Sequence, residues 1–170
     1  MRRIGLSIAI LVAFLAPAGA AEDPAGCGKF AWKLERERAW FAAADKLAVS
    51  AGDRLAAVPS SAFVVRLQPG GQASFALPPE RTPKSPGWFG GAVWFPSVER
   101  AGTYQVTLSD EAWIDLVQDG RYAHAVGNSM RHDCPGMRKS VRLELAPGPF
   151  VLQLSGAAAD TITVAFGPSE

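Results

Sequence analysis

The stretch AGTYQVTLSDEAWIDLVQDGRYAHAV, residues 101–126, decides the fold. Tyr104, Val106 and Leu108 alternate with Thr103, Gln105 and Thr107, the two-residue period of a strand with one face on a core. Ser109, Asp110 and Glu111 supply a polar turn. Residues 112–118 are again rich in β-formers, and Asp119-Gly120 is a hairpin signal, because both central residues of a type I′ turn need φ > 0. The expectation is three successive antiparallel strands. With Asp119 and Gly120 as the two loop residues, Gln118 pairs with Arg121, Val117 with Tyr122, Leu116 with Ala123, Asp115 with His124 and Trp113 with Val126. Ile114, Leu116, Ala123 and Ala125 then share one face, and Trp113, Asp115, Val117, Tyr122 and His124 the other.

Working outward, the β signal persists to both sides. After a polar loop at 127–139, Val141, Leu143 and Leu145 alternate with Arg142 and Glu144. Pro147-Gly148-Pro149 turns the chain, Phe150, Leu152 and Leu154 form the next strand, and Ile162, Val164 and Phe166 the last. Upstream, residues 63–68 and 73–77 read as two strands of a hairpin across Pro69-Gly70-Gly71. Residues 78–87, PPERTPKSPG, hold four prolines that remove donors and fix φ, so this segment reads as an exposed loop or edge. In the aromatic run 88–95 that follows, Gly90-Gly91 marks a bulge or a close backbone approach. Residues 28–49 are mixed: Phe30, Trp32 and Leu34 alternate as an entering strand at 29–34, and the Glu-Arg pairs from Glu35 onward suit a short helix near 35–44. Short strands at near-regular spacing with Gly/Pro turns give an all-β class, an antiparallel jelly-roll-like β-sandwich with one short N-terminal helix.

The first twenty residues read as an address. Arg2 and Arg3 form a basic n-region, Ile4 to Leu15 an apolar core, and Ala18-Gly19-Ala20 a small-residue cleavage site. The apolar run is shorter than the ~20 residues a spanning helix needs, so the expectation is a cleaved signal peptide, no stable membrane span, and a periplasmic or secreted product. Residues 21–170 then form one β-sandwich domain. Losing residues 1–20 leaves 15 basic against 16 acidic side chains, a balance without the basic patch that nucleic acid or anionic lipid demands. Cys27 and Cys134 are the only cysteines, and in an oxidising compartment an even pair reads as a disulfide. No C-x-x-C pair or ligand cluster supports redox or metal chemistry for them.

Two sets of side chains stand out as candidates. Trp88, Trp94, Trp113, Tyr122 and Arg121 form a candidate aromatic and polar ligand face, with a carbohydrate or an envelope protein as the expected partner. Asp115 and His124, opposite one another in the register above, form a cross-strand pair of the kind that orients an imidazole. No nucleophile accompanies them and no G-x-S-x-G is present, so the reading is a non-catalytic binding module without a cofactor. The alternative is a small metal-dependent enzyme, non-haem iron dioxygenase-like, using His124, His132 and a carboxylate drawn from Asp133, Asp115 or Glu144. The chain's two histidines lack the H-x-H plus Glu pattern of cupin enzymes.

The pattern AGTYQVTLS, then WIDLVQDG, then LELAPGPFVLQLSG and TITVAF resembles the secreted bacterial pre-peptidase C-terminal type of domain, and more loosely the galactose-binding-like jelly rolls, over about residues 101–166. The resemblance implies a β-sandwich accessory or binding module without catalysis of its own. The 27–49 segment and the disulfide across it depart from that pattern, so no ligand residue is carried over.

Overall fold

The computed structural model describes residues 26–170; the leader expected over residues 1–20 lies outside them. In chain order the strands are β1 (Leu47–Ser50), β2 (Phe63–Arg66), β3 (Gln68–Pro69), β4 (Phe89–Val98), β5 (Gly102–Leu108), β6 (Trp113–Gln118), β7 (Arg121–Tyr122), β8 (Ala125–Met130), β9 (Lys139–Leu145), β10 (Gly148–Ala157) and β11 (Thr161–Pro168). They form two sheets, one of six strands ordered β1-β2-β11-β5-β9-β8 and one of five ordered β3-β4-β10-β6-β7. The chain folds back on itself in nested antiparallel pairs: β2 with β11, β4 with β10, β5 with β9, β6 with β7. Successive pairs alternate between the sheets, which is the winding of a jelly roll.

Alternation along the strands supplies the core between the sheets. Val106 and Leu108, Val141 and Leu143, and Ile162, Val164 and Phe166 face Ile114 and Leu116, Leu152 and Leu154, and Val93 and Phe95. One end is filled by stacked rings, with Phe95 to Phe150 at 4.7 Å, Phe150 to Phe166 at 4.8 Å and Tyr104 to Phe166 at 5.4 Å between centroids. Gly91 has φ +150°, and a Cβ there would fall 2.4 Å from the Ala51 Cβ, so the Gly90-Gly91 pair is a place of close approach. The β10–β4 register also shifts nearby, between Leu154 and Ala157.

Several sequence expectations need correction. The 101–126 stretch is not a three-stranded meander: β5 pairs with β9 and β11, and the turn at 109–111 carries the chain across to β6 in the other sheet. Residues 121–126 also divide. β7 pairs with β6 in the predicted register, Gln118 with Arg121 and Val117 with Tyr122, and then the chain returns to the six-stranded sheet as β8. The pairing of Asp115 with His124 and of Trp113 with Val126 is therefore not made. Residues 127–130, expected in a loop, belong to β8. Residues 73–77 are no strand, because the Ala76 and Leu77 amides bond to the Gln153 side chain instead of a neighbouring ladder. Nor is 29–34 a strand. After a 3-10 turn at Cys27–Lys29, Phe30 and Leu34 enter a satellite core with Cys27, Cys134 and Met137, and their alternation reflects packing against the sandwich. The helix α1 forms over Glu35–Ala42.

The disulfide joins Cys27 to Cys134 and anchors this N-terminal segment over the outer face of the six-stranded sheet. There Trp32 Nε1 donates to Ser140 Oγ at 3.2 Å, and the Arg142 guanidinium lies 4.4 Å from the Trp32 ring centre. That cover explains why Gln105 and Thr107, on the face of β5 away from the core, are also buried.

Candidate functional site at the open edge of β6

β6 is paired fully on one side and barely on the other. β10 follows it from Trp113 to Val117, whereas β7 opposes only Val117 and Gln118. The Ala123 amide donates to Leu116 O at 2.8 Å, and the chain then crosses sheets, His124 O accepting from the Glu144 amide. The N–H and C=O of a strand residue share one edge, and the edge alternates along the strand. Ile114 therefore directs its backbone groups to the same edge as Leu116, but no strand among the described residues meets them. The next carbonyl on that edge, Ala112 O, accepts from Lys139 Nζ at 2.7 Å.

The crossover leaves a cleft of about 500 Å³ along this edge. Its inner wall is Leu116, Met130, Val141 and Leu143, with Ala123 and Ala125 too small to close the gap. Met130 and Lys139 pair in register at the edge of the six-stranded sheet, and Met130 is 38% exposed although it faces inward with Val141's cross-strand partner Asn128. The outer wall is the 80–85 strap. Gln153, buried on the outer face of β10, holds the strap from beneath: its Oε1 accepts from Ala76 N at 2.6 Å and Leu77 N at 3.0 Å, and its Nε2 donates to Leu77 O at 3.1 Å. The Tyr122 hydroxyl adds a bond to Pro78 O.

Charged side chains border the cleft. Lys139 occupies a core-phase position on β9, and burial lowers its pKa while the Glu111 carboxylate opposes that shift. Its ammonium lies 4.9 Å from the Trp113 ring centre, and the Arg81 guanidinium 5.5 Å from the same ring. Asp115 is buried on the other face of β6, accepting from Trp113 Nε1 at 2.7 Å and from the Glu80 amide at 3.2 Å. Burial raises its pKa, and these two bonds offset only part of the rise. Neither Lys139 nor Asp115 makes a salt bridge among the described residues. Burial and the Asp115 carboxylate raise the Tyr122 phenol, keeping it a donor. Ser155 Oγ, also lining the cleft, is buried with no hydrogen-bond partner among the described residues.

Of the residues singled out by sequence, Trp113, Asp115 and Tyr122 meet at this cleft. Trp88 lies elsewhere, stacked on Phe75 at 6.3 Å, and Trp94 lies under the Arg54 guanidinium at 5.1 Å. Each of the three indoles thus has a neighbour of its own. Arg121 is exposed at the hairpin, and His124 is exposed at the crossover. His132 lines a separate hollow with Asp110 and Arg138. No group of three His, Cys, Asp or Glu side chains is placed to hold a metal among the described residues. Sequence reasoning passed over Lys139, Gln153 and Ser155. Lys139 had a readable signal, since it is in phase with Val141, Leu143 and Leu145; the other two fall in phase with an outward face and gave none.

The geometry defines a jelly-roll sandwich with a polar-lipped cleft at one open edge. No family model matches the chain, and neither does any curated protein or solved structure.

Proposed function

We propose that the protein is an exported, non-catalytic binding module whose ligand lies in the cleft along β6. One observation carries this reading: where the sandwich should close on apolar side chains, it leaves a cavity bordered by a buried ammonium and a buried carboxylate that do not pair with each other. Burying ionic groups without a counter-ion is costly even when, as here, each keeps a hydrogen bond, and a bound ligand of complementary charge recovers part of that cost. The size of the cleft and its apolar inner wall with a few polar groups at the lip are those of small-ligand sites. The disulfide agrees with an oxidising compartment, and the leader-like sequence of residues 1–20 supports export to the periplasm or beyond.

The test is a ligand screen of small acids, sugars and short peptides, followed by NMR on uniformly labelled protein. Binding in the cleft shifts the Trp113 indole, the Met130 methyl and the Ile114 amide together. Ligands that shift Trp88 or Trp94 and leave these three unmoved place the site elsewhere and refute the reading. N-terminal sequencing of protein recovered from periplasm and medium checks the export.

A further inference from the structure

Resting on that reading of the cleft, we infer that its ligand is the carboxyl end of an extended peptide, its last residue paired with Ile114 and its terminal carboxylate on Lys139. Three observations lead there. The floor of the cleft is a strand edge offering one N–H and one C=O from the same residue, Ile114, in the line that β7 abandons after Ala123. A peptide unit carries the complementary donor and acceptor at strand spacing, which sugars and simple acids do not.

The direction follows from charge. A peptide continuing the line of β7 runs antiparallel to β6, so its carboxyl end arrives beside Ala112, where Lys139 Nζ uses one donor on Ala112 O and keeps two for a ligand. Arg81, on the same indole as Lys139, adds a second cation. The anion also restores to Lys139 the favourable surroundings that burial has removed.

Side-chain preference follows from register. Residues directly opposite in an antiparallel pair point to one face. The terminal residue, opposite Ile114, therefore points between the sheets toward Met130, Val141 and Leu143 and is apolar. The penultimate residue, opposite Asp115, points to the outer face, where the Asp115 carboxylate and Ser155 Oγ favour a basic or hydroxyl-bearing side chain. Ala123 already occupies the line opposite Leu116, so earlier residues turn out to solvent and only the last two are read.

The experiment pools tetrapeptides with free carboxyl termini and compares them with the same pool amidated, both titrated into the intact chain and followed by the Ile114 amide and Trp113 indole. The expected result is binding by free acids ending in a basic or hydroxyl residue then an aliphatic one, weakened about tenfold to a hundredfold by amidation or by Lys139→Met. Equal binding of acid and amide on the wild-type protein overturns the carboxylate assignment, whatever the folding of the variant. Octanoate shifting the cleft resonances while no peptide does so overturns the peptide inference and leaves the cleft as a binding site. Silence with every probe, peptide or small molecule, refutes both.

Discussion

Cutting the Cys27–Cys134 bridge tests how the N-terminal segment is tied to the sandwich. The bridge spans a sequence separation of 107 residues. The chain-entropy relation for a loop of that size gives about 4.8 kcal/mol at 25 °C, which is a ceiling. The sulfurs lie in a satellite core of Cys27, Phe30, Leu34, Cys134 and Met137, outside the main core between the sheets. Without the cross-link, the folded protein can release this segment at the cost of that small core and a few bonds: Trp32 to Ser140, Ala31 N to Ser129 Oγ, Arg131 to Lys29 O, and Arg36 to Pro168 O and the Glu170 carboxylate. Release returns freedom to the native state and recovers part of the loss. For the Cys27→Ser/Cys134→Ser double variant, urea unfolding should therefore show a loss of about 2 to 4.8 kcal/mol. That corresponds to a Tm lower by about 6–15 °C for a domain of this size. Amide exchange should speed up first over residues 27–43 while the β5, β10 and β11 amides stay protected. A loss below about 1 kcal/mol with the segment still protected would refute the loop-closure reasoning. Uniform acceleration across both sheets would refute the separateness of the satellite core.

Four further outcomes follow from single contacts. Gln153→Ala removes three hydrogen bonds under the strap, worth about 1 kcal/mol each, so hydrogen exchange at Ala76 and Leu77 should rise by about a hundredfold; unchanged exchange means that Gln153 does not hold the strap. Lys139→Met removes a buried charge and should stabilise the ligand-free protein by about 1 kcal/mol at neutral pH in a urea titration. Because burial lowers the folded-state pKa of Lys139, its penalty is complete below that pKa and fades as pH rises toward 10.5, so the gain from the variant should shrink in alkaline buffer. Asp115 has the opposite pH dependence: its folded pKa is raised, so its penalty is absent below 3.8, grows as pH rises from there to the folded value and is complete above it, and Asp115→Asn should flatten that part of the stability profile. Gly91→Ala places a Cβ 2.4 Å from the Ala51 Cβ at a positive φ and should cost about 2 kcal/mol or more in a thermal melt, whereas Gly71→Ala, with open space around it, should cost less than half of that.

Local chemistry made much of the fold legible. The period-two runs at Tyr104–Val106–Leu108, Val141–Leu143–Leu145, Phe150–Leu152–Leu154 and Ile162–Val164–Phe166 all mark strands with those residues inward. Asp119-Gly120 gave a true two-residue turn, Asp119 at φ 52° and Gly120 at φ 70°, and the pairs beside it are in register. Alternation does not say which sheet a strand joins. The period of β5 and that of β6 look alike whether they are neighbours or face each other across a core, so the expected meander was an adjacency that nothing in the residues specified. The same ambiguity hid the strap: Phe75 and Leu77 alternate like a strand, but the amides around them are satisfied by one glutamine side chain 76 residues downstream. Long-range bonds of that kind leave no local trace.

The innermost hairpin joins these two halves of the problem. The last nested pair is reduced to Arg121–Tyr122 against Val117–Gln118 before the chain leaves to begin β8 in the other sheet. Had the hairpin run on as its alternation suggested, Asp115 would have faced His124, Ile114 would have been paired with Ala125, and the sandwich would have closed. Because it stops, Ile114 keeps an unpaired edge, Ala123 and Ala125 leave space, and Lys139 enters from the opposite sheet to take the Ala112 carbonyl. The residues that the sequence placed in a cross-strand pair and the residues that form the cleft overlap at Trp113, Asp115 and Tyr122 for this reason. The register that located them is sound for its first pairs, and the cleft lies at the point where that register ends.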